Sequence, residues 1–174
     1  MIEFMVIGAP RSGTAWAANW LTTDHSLCLH DPLWRMHYED LDRIQSKKVL
    51  GVACTGLALF ETWTNAHRAR KLILHRNIDE VNASLYKIGM PPIGDEFEDR
   101  LQAIDGLHVW WRELFDRPAR IHEHLLQRPF DPERHQALRE LEVQMHFEGI
   151  HVDPAATARL LAELQRAAHG GAIQ

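Results

Sequence analysis

The feature that most limits how this chain can fold is its alternation of short apolar segments with segments of helical character. Residues 2–8 form an apolar run that ends in glycine, which is typical of a buried strand. After a short turn, residues 15–21 are rich in helix formers. Apolar runs at 49–54 and 71–76 predict a second and a third strand. Strands that alternate with helices favour a parallel sheet with helices on both faces.

Helix-capping signals and residue spacing predict the other elements. Asn77 with Glu80 three residues later is typical of an N-cap and capping box. At positions 131 and 153 an aspartate is followed by proline, which suits an N-cap and a first helical residue. We predict helices over 57–70, 77–88, 97–115, 131–147 and 153–168, and a fourth, poorer strand over 120–124.

Length and composition favour one globular domain over residues 1–174. The alternating pattern predicts that this domain is α/β, with a short central parallel sheet and a helical C-terminal portion at about 131–168. Hydrophobic residues make up 45% and charged residues 25%, which is globular usage and excludes a disordered polymer. No apolar run approaches the ~20 residues of a membrane span. The first residues include an acid and no basic region, so we expect no signal peptide. Cys28 and Cys54 are expected to be free thiols in the cytoplasm.

The distribution of charge predicts where an anion would bind. The net charge of −5 argues against non-specific nucleic-acid binding. Residues 1–76 nevertheless carry 9 Lys/Arg against 7 Asp/Glu, whereas residues 77–174 carry 10 against 17. An anion site is therefore expected in the first half of the chain.

The turn over residues 8–14, Gly-Ala-Pro-Arg-Ser-Gly-Thr, has the composition of a phosphate-binding loop. Its glycines permit positive φ angles, and the amides that begin the next helix would point at an anion. Arg11 adds a permanent charge, and Ser12 and Thr14 add hydroxyl donors. The loop of the NTPases has a lysine after its last glycine, whereas here Gly13 is followed by threonine. A triphosphate-hydrolysing enzyme is therefore disfavoured.

Residues 10–16, Pro-Arg-Ser-Gly-Thr-Ala-Trp, resemble the 5′-phosphosulfate loop of the sulfotransferase family. That loop is commonly Pro, Lys or Arg, Ser-Gly-Thr, then Thr or Ser, so Ala15 departs from it. Arg76 at the end of a strand, with Ser84 eight residues later, resembles the family's second signature. Weaker similarity at 108–114 and 122–129 extends the resemblance over about residues 2–150, although the family's late glycine-rich motif is not visible.

The resemblance implies a three-layer P-loop fold and the cofactor 3′-phosphoadenosine 5′-phosphosulfate (PAPS). The loop would hold the 5′-phosphate, the Arg76–Ser84 pair would hold the 3′-phosphate, and Trp16 would either stack on adenine or pack in the core. The resemblance assigns cofactor binding to Pro10, Arg11, Ser12, Gly13, Thr14, Ala15, Trp16, Arg76 and Ser84.

Catalysis would need a group that stabilises the leaving phosphate and a base. Arg11 is the candidate for the first role. Some branches of the family use a carboxylate just after the first helix, which makes Asp31 the first candidate base and His30 the second. Asp31 is equally suited to starting a turn with Pro32. No metal site is expected, because His122 and His124 lack a third ligand.

The leading hypothesis is therefore a small sulfotransferase that transfers a sulfuryl group from PAPS to a hydroxyl or amine of an unknown acceptor. Two alternatives remain open. One is a P-loop kinase of nucleotides or small molecules. The other is a degenerate member that binds nucleotide, or only a protein partner, without transfer.

Overall fold

The computed structural model describes residues 1–140 and contains one all-parallel sheet within that range. Its strands are β1 (Phe4–Gly8), β2 (Ser26–His30), β3 (Val49–Ala53), β4 (Arg70–His75) and β5 (Leu107–Trp110). They lie in the order β2-β3-β1-β4-β5. The α/β class with a parallel sheet, predicted from the alternating pattern, is confirmed.

The α-helices cover both faces of this sheet. They are α1 (Thr14–Leu21), α2 (Glu61–Ala66), α3 (Ile78–Tyr86), α4 (Glu96–Gln102), α5 (Glu113–Asp116), α6 (Pro118–Leu126) and α7 (Pro132–Glu140). Three 3-10 helices lie at Pro32–Trp34, Tyr38–Arg43 and Thr55–Leu59.

The sheet separates two apolar cores because successive side chains of a strand point to opposite faces. On one face, Met5 and Ile7 of β1 lie in the core that contains Val81 of α3 and Leu101 of α4. On the other, Phe4 and Val6 belong to the core that α1, α5 and α6 cover with Trp20, Leu114 and Leu125. All five residues of β1 are buried, as expected for the central strand of a parallel sheet.

Two predictions for residues 97–126 are wrong. The single helix predicted over 97–115 is instead α4, β5 and α5. At Gly106 an added Cβ would lie 2.9 Å from the Cβ and the carbonyl oxygen of Lys71, so glycine lets the chain approach β4 and form a new strand. The strand predicted over 120–124 lies inside α6, which begins at Pro118, and its buried residues repeat at a helical spacing.

One further prediction is wrong in extent, and one strand has no counterpart in the prediction. The helix predicted over 57–70 is a 3-10 helix followed by the shorter α2, and Arg70 already belongs to β4. The strand β2 is absent from the prediction; it lies at an edge of the sheet, where Ser26 and Cys28 are buried and the other three residues are partly exposed. Its pairing with β3, for example Cys28 with Gly51, is a tertiary contact that local pattern does not report.

The predicted helix starts at Asn77 and Asp131 are confirmed. The Asn77 side chain accepts hydrogen bonds from the amides of Asp79 and Glu80. The Asp131 carboxylate accepts one from the Arg134 amide at 3.0 Å, and α7 follows to the end of the described range. The remainder of the helix predicted over 131–147 and all of the one over 153–168 lie outside the described residues.

Among residues 1–140, none of the helices combines the length and the apolar character needed to cross a bilayer.

Candidate functional site

The glycine-rich loop and Arg76 leave the sheet at the same edge. Gly8 at the end of β1 pairs with Leu74 of β4, so the loop after Gly8 begins beside the end of β4, and Arg76 directly follows that strand. From here the chain continues to opposite sides, since β1 leads to β2 and β4 leads to β5. Ligands of open α/β sheets bind at such a point, beyond the carboxyl ends of the strands.

The loop after β1 is held in a tight and specific shape. A Cβ at Gly8 would lie 2.5 Å from the Ser12 hydroxyl oxygen, so only glycine fits there. Arg11 and Gly13 adopt positive φ angles of 64° and 96°. The buried Ser12 donates a 2.6 Å hydrogen bond from its hydroxyl to the carbonyl of Ala9. The Ser12 hydroxyl therefore closes the loop from within rather than offering its proton to a ligand.

The loop delivers the chain directly into α1. Gly13 is the N-cap residue and adopts a left-handed conformation. It has no side chain that could bond the first amides of the helix, which begins at Thr14. The first amides of a helix have no carbonyl partner within it and carry a partial positive charge. The arrangement thus presents backbone donors beside the Arg11 side chain, as anion binding requires.

The two motifs singled out in the sequence are in direct contact. The Nε atom of Arg11 donates a 3.0 Å hydrogen bond to the hydroxyl of Ser84, which lies on α3. The guanidinium of Arg76 donates a hydrogen bond to the carbonyl oxygen of Arg11. The structure therefore brings both motifs to one place, with their arginines and a hydroxyl side by side.

Arg76 has two further neighbours. Its Nε lies 3.2 Å from Oε2 of Glu80, one turn into α3. Its guanidinium carbon lies 4.7 Å from the ring centroid of Trp111, which is cation–π distance. The sequence pattern predicts Glu80 only as a capping residue. The spacing of four residues between Arg76 and Glu80 was the local signal for their ion pair.

His30 and Asp31 lie on the other side of the loop. His30 Nε2 lies 3.4 Å from the Thr14 hydroxyl and 3.3 Å from Oδ2 of Asp31. The other oxygen of Asp31 accepts a 3.0 Å hydrogen bond from the amide of Thr55. Asp31 also has a left-handed backbone, with φ 42°, and caps the 3-10 helix that starts at Pro32. Asp31 thus has the turn-forming role considered from the sequence, and it also contacts His30.

Burial sets the protonation of this region. Loss of solvent lowers the pKa of His30 below its ordinary 6.5, although the negative charge of Asp31 acts in the opposite direction. A neutral imidazole at pH 7 can accept a proton.

Burial, with a smaller effect of Asp31, raises the pKa of the Cys54 thiol well above its ordinary value. Cys54 is therefore a buried, protonated thiol and not a nucleophile.

Trp16 is a core residue in this structure. Its ring lies 5.4 Å from that of Trp20 and 4.7 Å from that of Phe115, and 9% of the residue is exposed. Its indole nitrogen donates a 3.3 Å hydrogen bond to the carbonyl of Leu138. Of the two roles considered for Trp16, core packing is the one that this environment favours.

A hydrogen-bonded chain supports the end of β4 next to Arg76. Glu98 Oε1 lies 2.7 Å from His75 Nδ1, and His75 Nε2 lies 2.8 Å from His108 Nδ1. His108 Nε2 donates to the carbonyl of Ile104 at 2.8 Å. These contacts link β4, β5 and α4 at His75, the residue that directly precedes Arg76.

Other features lie away from this edge. A cavity of about 840 Å³ is lined by residues such as Thr22, His25 and Arg134, and contains none of the candidate site residues. His122 and His124 stand on α6, where they contact the carbonyls of Arg128 and Lys71. Within residues 1–140, no group of three or more His, Cys, Asp or Glu side chains is arranged to hold a metal ion.

Comparison with known proteins adds no further assignment. No protein-family model matches the chain, and no curated protein sequence matches it. The function must therefore be argued from the site itself.

Proposed function

We propose that this chain is a sulfotransferase-like enzyme of three-layer P-loop type. It binds PAPS at the carboxyl edge of its sheet and transfers the sulfuryl group to a hydroxyl or amine of an acceptor. The observation that carries the proposal is the contact between the loop of residues 9–13 and the Arg76–Ser84 motif, through Arg11. The two motifs are more than sixty positions apart in the sequence and are in contact in the structure, which supports the proposal that they act as one site.

The donor set fits a nucleotide with two phosphate groups. Two guanidinium groups, the amides that begin α1 and the hydroxyls of Thr14 and Ser84 lie at one edge. Arginine forms charge-assisted bonds to phosphate oxygens, and backbone amides stabilise charge on a leaving phosphate. Arg11 and the loop amides would hold the 5′-phosphate, and Arg76 with Ser84 would hold the 3′-phosphate. When bound, PAPS supplies a sulfuryl group whose bond to the 5′-phosphate oxygen breaks as the acceptor atom bonds to sulfur.

The chain's own residues provide a route for the acceptor proton. His30 is neutral at pH 7 because burial lowers its pKa, so its ring nitrogen can accept that proton. Asp31 lies 3.3 Å from His30 and would stabilise the imidazolium that forms. Because the second oxygen of Asp31 is bonded to the Thr55 amide, we favour His30 as base and Asp31 as the residue that supports it.

The decisive experiment is calorimetric titration with 3′-phosphoadenosine 5′-phosphate (PAP) beside ATP–magnesium. The proposal expects PAP to bind at least about tenfold more tightly, because only PAP offers the 3′-phosphate to a charge-assisted bond. Tighter binding of ATP–magnesium would overturn the proposal and favour a kinase.

Transfer itself is measured as release of PAP from PAPS in the presence of hydroxyl and amine acceptors. Tight PAP binding without release for any acceptor in a broad panel would indicate a nucleotide-binding protein without transfer.

A further inference from the structure

A single carboxylate lies between two arginines at the candidate site. Glu80 Oε2 lies 3.2 Å from Nε of Arg76, and Glu80 Oε1 lies 3.6 Å from a terminal nitrogen of Arg112. Arg76 follows β4, Arg112 follows β5, and Glu80 lies in the first turn of α3. Three separate elements therefore meet at one carboxylate.

Strand pairing brings Arg112 to this place. The Trp111 amide donates a 2.9 Å hydrogen bond to the carbonyl of His75, which continues the pairing of β5 with β4. The ring of Trp111 then lies against the guanidinium of Arg76. Arg112 is the next residue, with 69% of its side chain exposed and 5.7 Å between its guanidinium carbon and the same ring centroid.

The charges of this cluster do not balance. Arg11, Arg76 and Arg112 bring three positive charges, while Arg11 is bonded to the neutral hydroxyl of Ser84. Among residues 1–140, the acidic contact described for Arg76 and for Arg112 is in each case Glu80. Because Arg11 is assigned to the 5′-phosphate, Arg76 and Arg112 are the two positive charges available to the 3′-phosphate once it replaces Glu80, and they match a phosphate monoester, which carries about −1.5 to −2 at pH 7.

We propose that Arg112 is a second arginine, beside Arg76, of the subsite for the 3′-phosphate, an inference that rests on the proposed function. In this structure Glu80 pairs with both Arg76 and Arg112. A phosphate monoester, with three acceptor oxygens, replaces the Glu80 carboxylate as their partner. The sequence alone gives no role for Arg112, because the approach of Arg112 to Glu80 depends on the pairing of β5 with β4.

The chain offers a matched control for Arg112. Arg117 is also exposed, by 66%, and also lies 3.6 Å from a carboxylate, that of Glu113. An exposed ion pair by itself contributes little to stability, so removal of either arginine should leave the fold intact. A difference in nucleotide affinity between R112A and R117A therefore reports the effect of having an arginine beside Arg76.

The experiment is calorimetric titration of wild type, R112A and R117A with PAP and with adenosine 5′-phosphate. We expect R112A to weaken PAP binding about tenfold and adenosine 5′-phosphate binding less than twofold, because one charge-assisted bond to the 3′-phosphate is lost. R117A should leave both affinities within twofold. E80Q should tighten PAP binding severalfold, because it removes the competing carboxylate.

The outcomes separate this inference from the proposed function. A wild-type protein that binds PAP no better than adenosine 5′-phosphate overturns both. A wild-type preference for PAP that R112A retains, or an equal loss in R112A and R117A, overturns the role of Arg112 alone. An equal loss of both nucleotides in R112A places the arginine elsewhere than the 3′-phosphate and also overturns the inference.

Discussion

The Nε atom of Arg11 lies 3.0 Å from the hydroxyl oxygen of Ser84, to which it donates a hydrogen bond across 73 positions of sequence. Arg11 belongs to the loop after β1 and Ser84 to α3, so the bond joins the two motifs of the candidate site. A nucleotide whose 5′-phosphate bonds Arg11 and whose 3′-phosphate bonds Ser84 must replace this hydrogen bond with bonds to its own oxygens. Much of the affinity for such a ligand is therefore a difference between two sets of hydrogen bonds.

Arg76→Ala should weaken binding of PAP by roughly 1.5–3 kcal/mol, the scale of a hydrogen bond to a charged group. Binding of adenosine 5′-phosphate should scarcely change, because that nucleotide lacks the phosphate assigned to Arg76. Calorimetric titration with both nucleotides measures the difference. Arg70→Ala is the control, since Arg70 lies at the opposite end of β4 and pairs with Glu3 at 3.9 Å. Equal losses for the two nucleotides would remove the 3′-phosphate assignment.

Arg11→Ala should damage sulfuryl transfer more than nucleotide binding, if Arg11 stabilises the leaving 5′-phosphate. Alanine and arginine both have a Cβ, so the left-handed backbone at φ 64° strains the variant and the wild type by a similar free energy. The measurement is kcat beside the dissociation constant for PAP. Arg11→Lys keeps the charge and should retain part of kcat. Full transfer by Arg11→Ala would contradict the catalytic role.

Gly13→Ala should destabilise the protein by about 1–2 kcal/mol, because alanine strains at φ 96°. Its Cβ would also lie 3.2 Å from Cδ1 of Leu114, so either that side chain or the loop must move by a few tenths of an ångström, and we expect the strained loop to bind nucleotide less well. Gly89→Ala is the matched control, since φ there is 70° and nothing lies within 4 Å of the added Cβ. Urea unfolding and PAP titration of both variants separate strain from loop geometry. If PAP binding weakens equally in Gly13→Ala and Gly89→Ala, the loss comes from general destabilisation, and the shape of the loop is unimportant for binding.

His30→Gln should lower kcat by about 10²–10⁴, the usual contribution of a general base. The base must be deprotonated, and burial lowers the pKa of His30 below its ordinary 6.5. Wild-type transfer should therefore persist down to about pH 6.5 and decline only at lower pH, and His30→Gln should abolish this decline. Asp31→Asn tests the alternative. If it removes transfer and abolishes the acid decline while His30→Gln spares transfer, then Asp31 is the base.

Acid should destabilise the fold through His122 and His135. Burial lowers the pKa of both imidazoles in the folded protein, so the unfolded chain binds more protons as the pH falls. The resulting stability is present above the ordinary value of 6.5 and is lost as the pH falls below it. Urea unfolding should give a lower free energy at pH 5 than at pH 7.5, and His135→Gln should reduce that difference. A protein that is more stable at pH 5, or a variant with the full difference, would contradict this account.

Local sequence was sufficient wherever residues adjacent in the sequence determine the structure. The apolar run that becomes β1, the glycine-rich turn and the Asn77 cap were all predicted, because burial, positive φ and capping depend on adjacent residues. The sequence also points to Asp31 and His30 as one region, and in the structure His30 contacts both Thr14 and Asp31. The hydroxyl of Ser12, by contrast, was predicted to face an anion and instead bonds the carbonyl of Ala9.

The predictions that failed depended on pairing between distant segments. Residues 107–110 have a pattern that suits a helix, yet they form a strand because Gly106 lets them approach Lys71 and pair with β4. Residues 120–124 look extended but complete an amphipathic helix over the sheet.

The sequence by itself determined the parallel α/β plan, the loop at the end of β1 and the arginine at the end of β4. Only the tertiary structure decided that Arg11 bonds Ser84, that Arg112 joins Arg76 at Glu80, and that Trp16 lies in the core. The physical reason is that strands, turns and helix caps depend on the hydrogen-bonding and burial preferences of residues that are neighbours in the sequence. Contacts between side chains of different strands and helices exist only after the sheet has set its order and register.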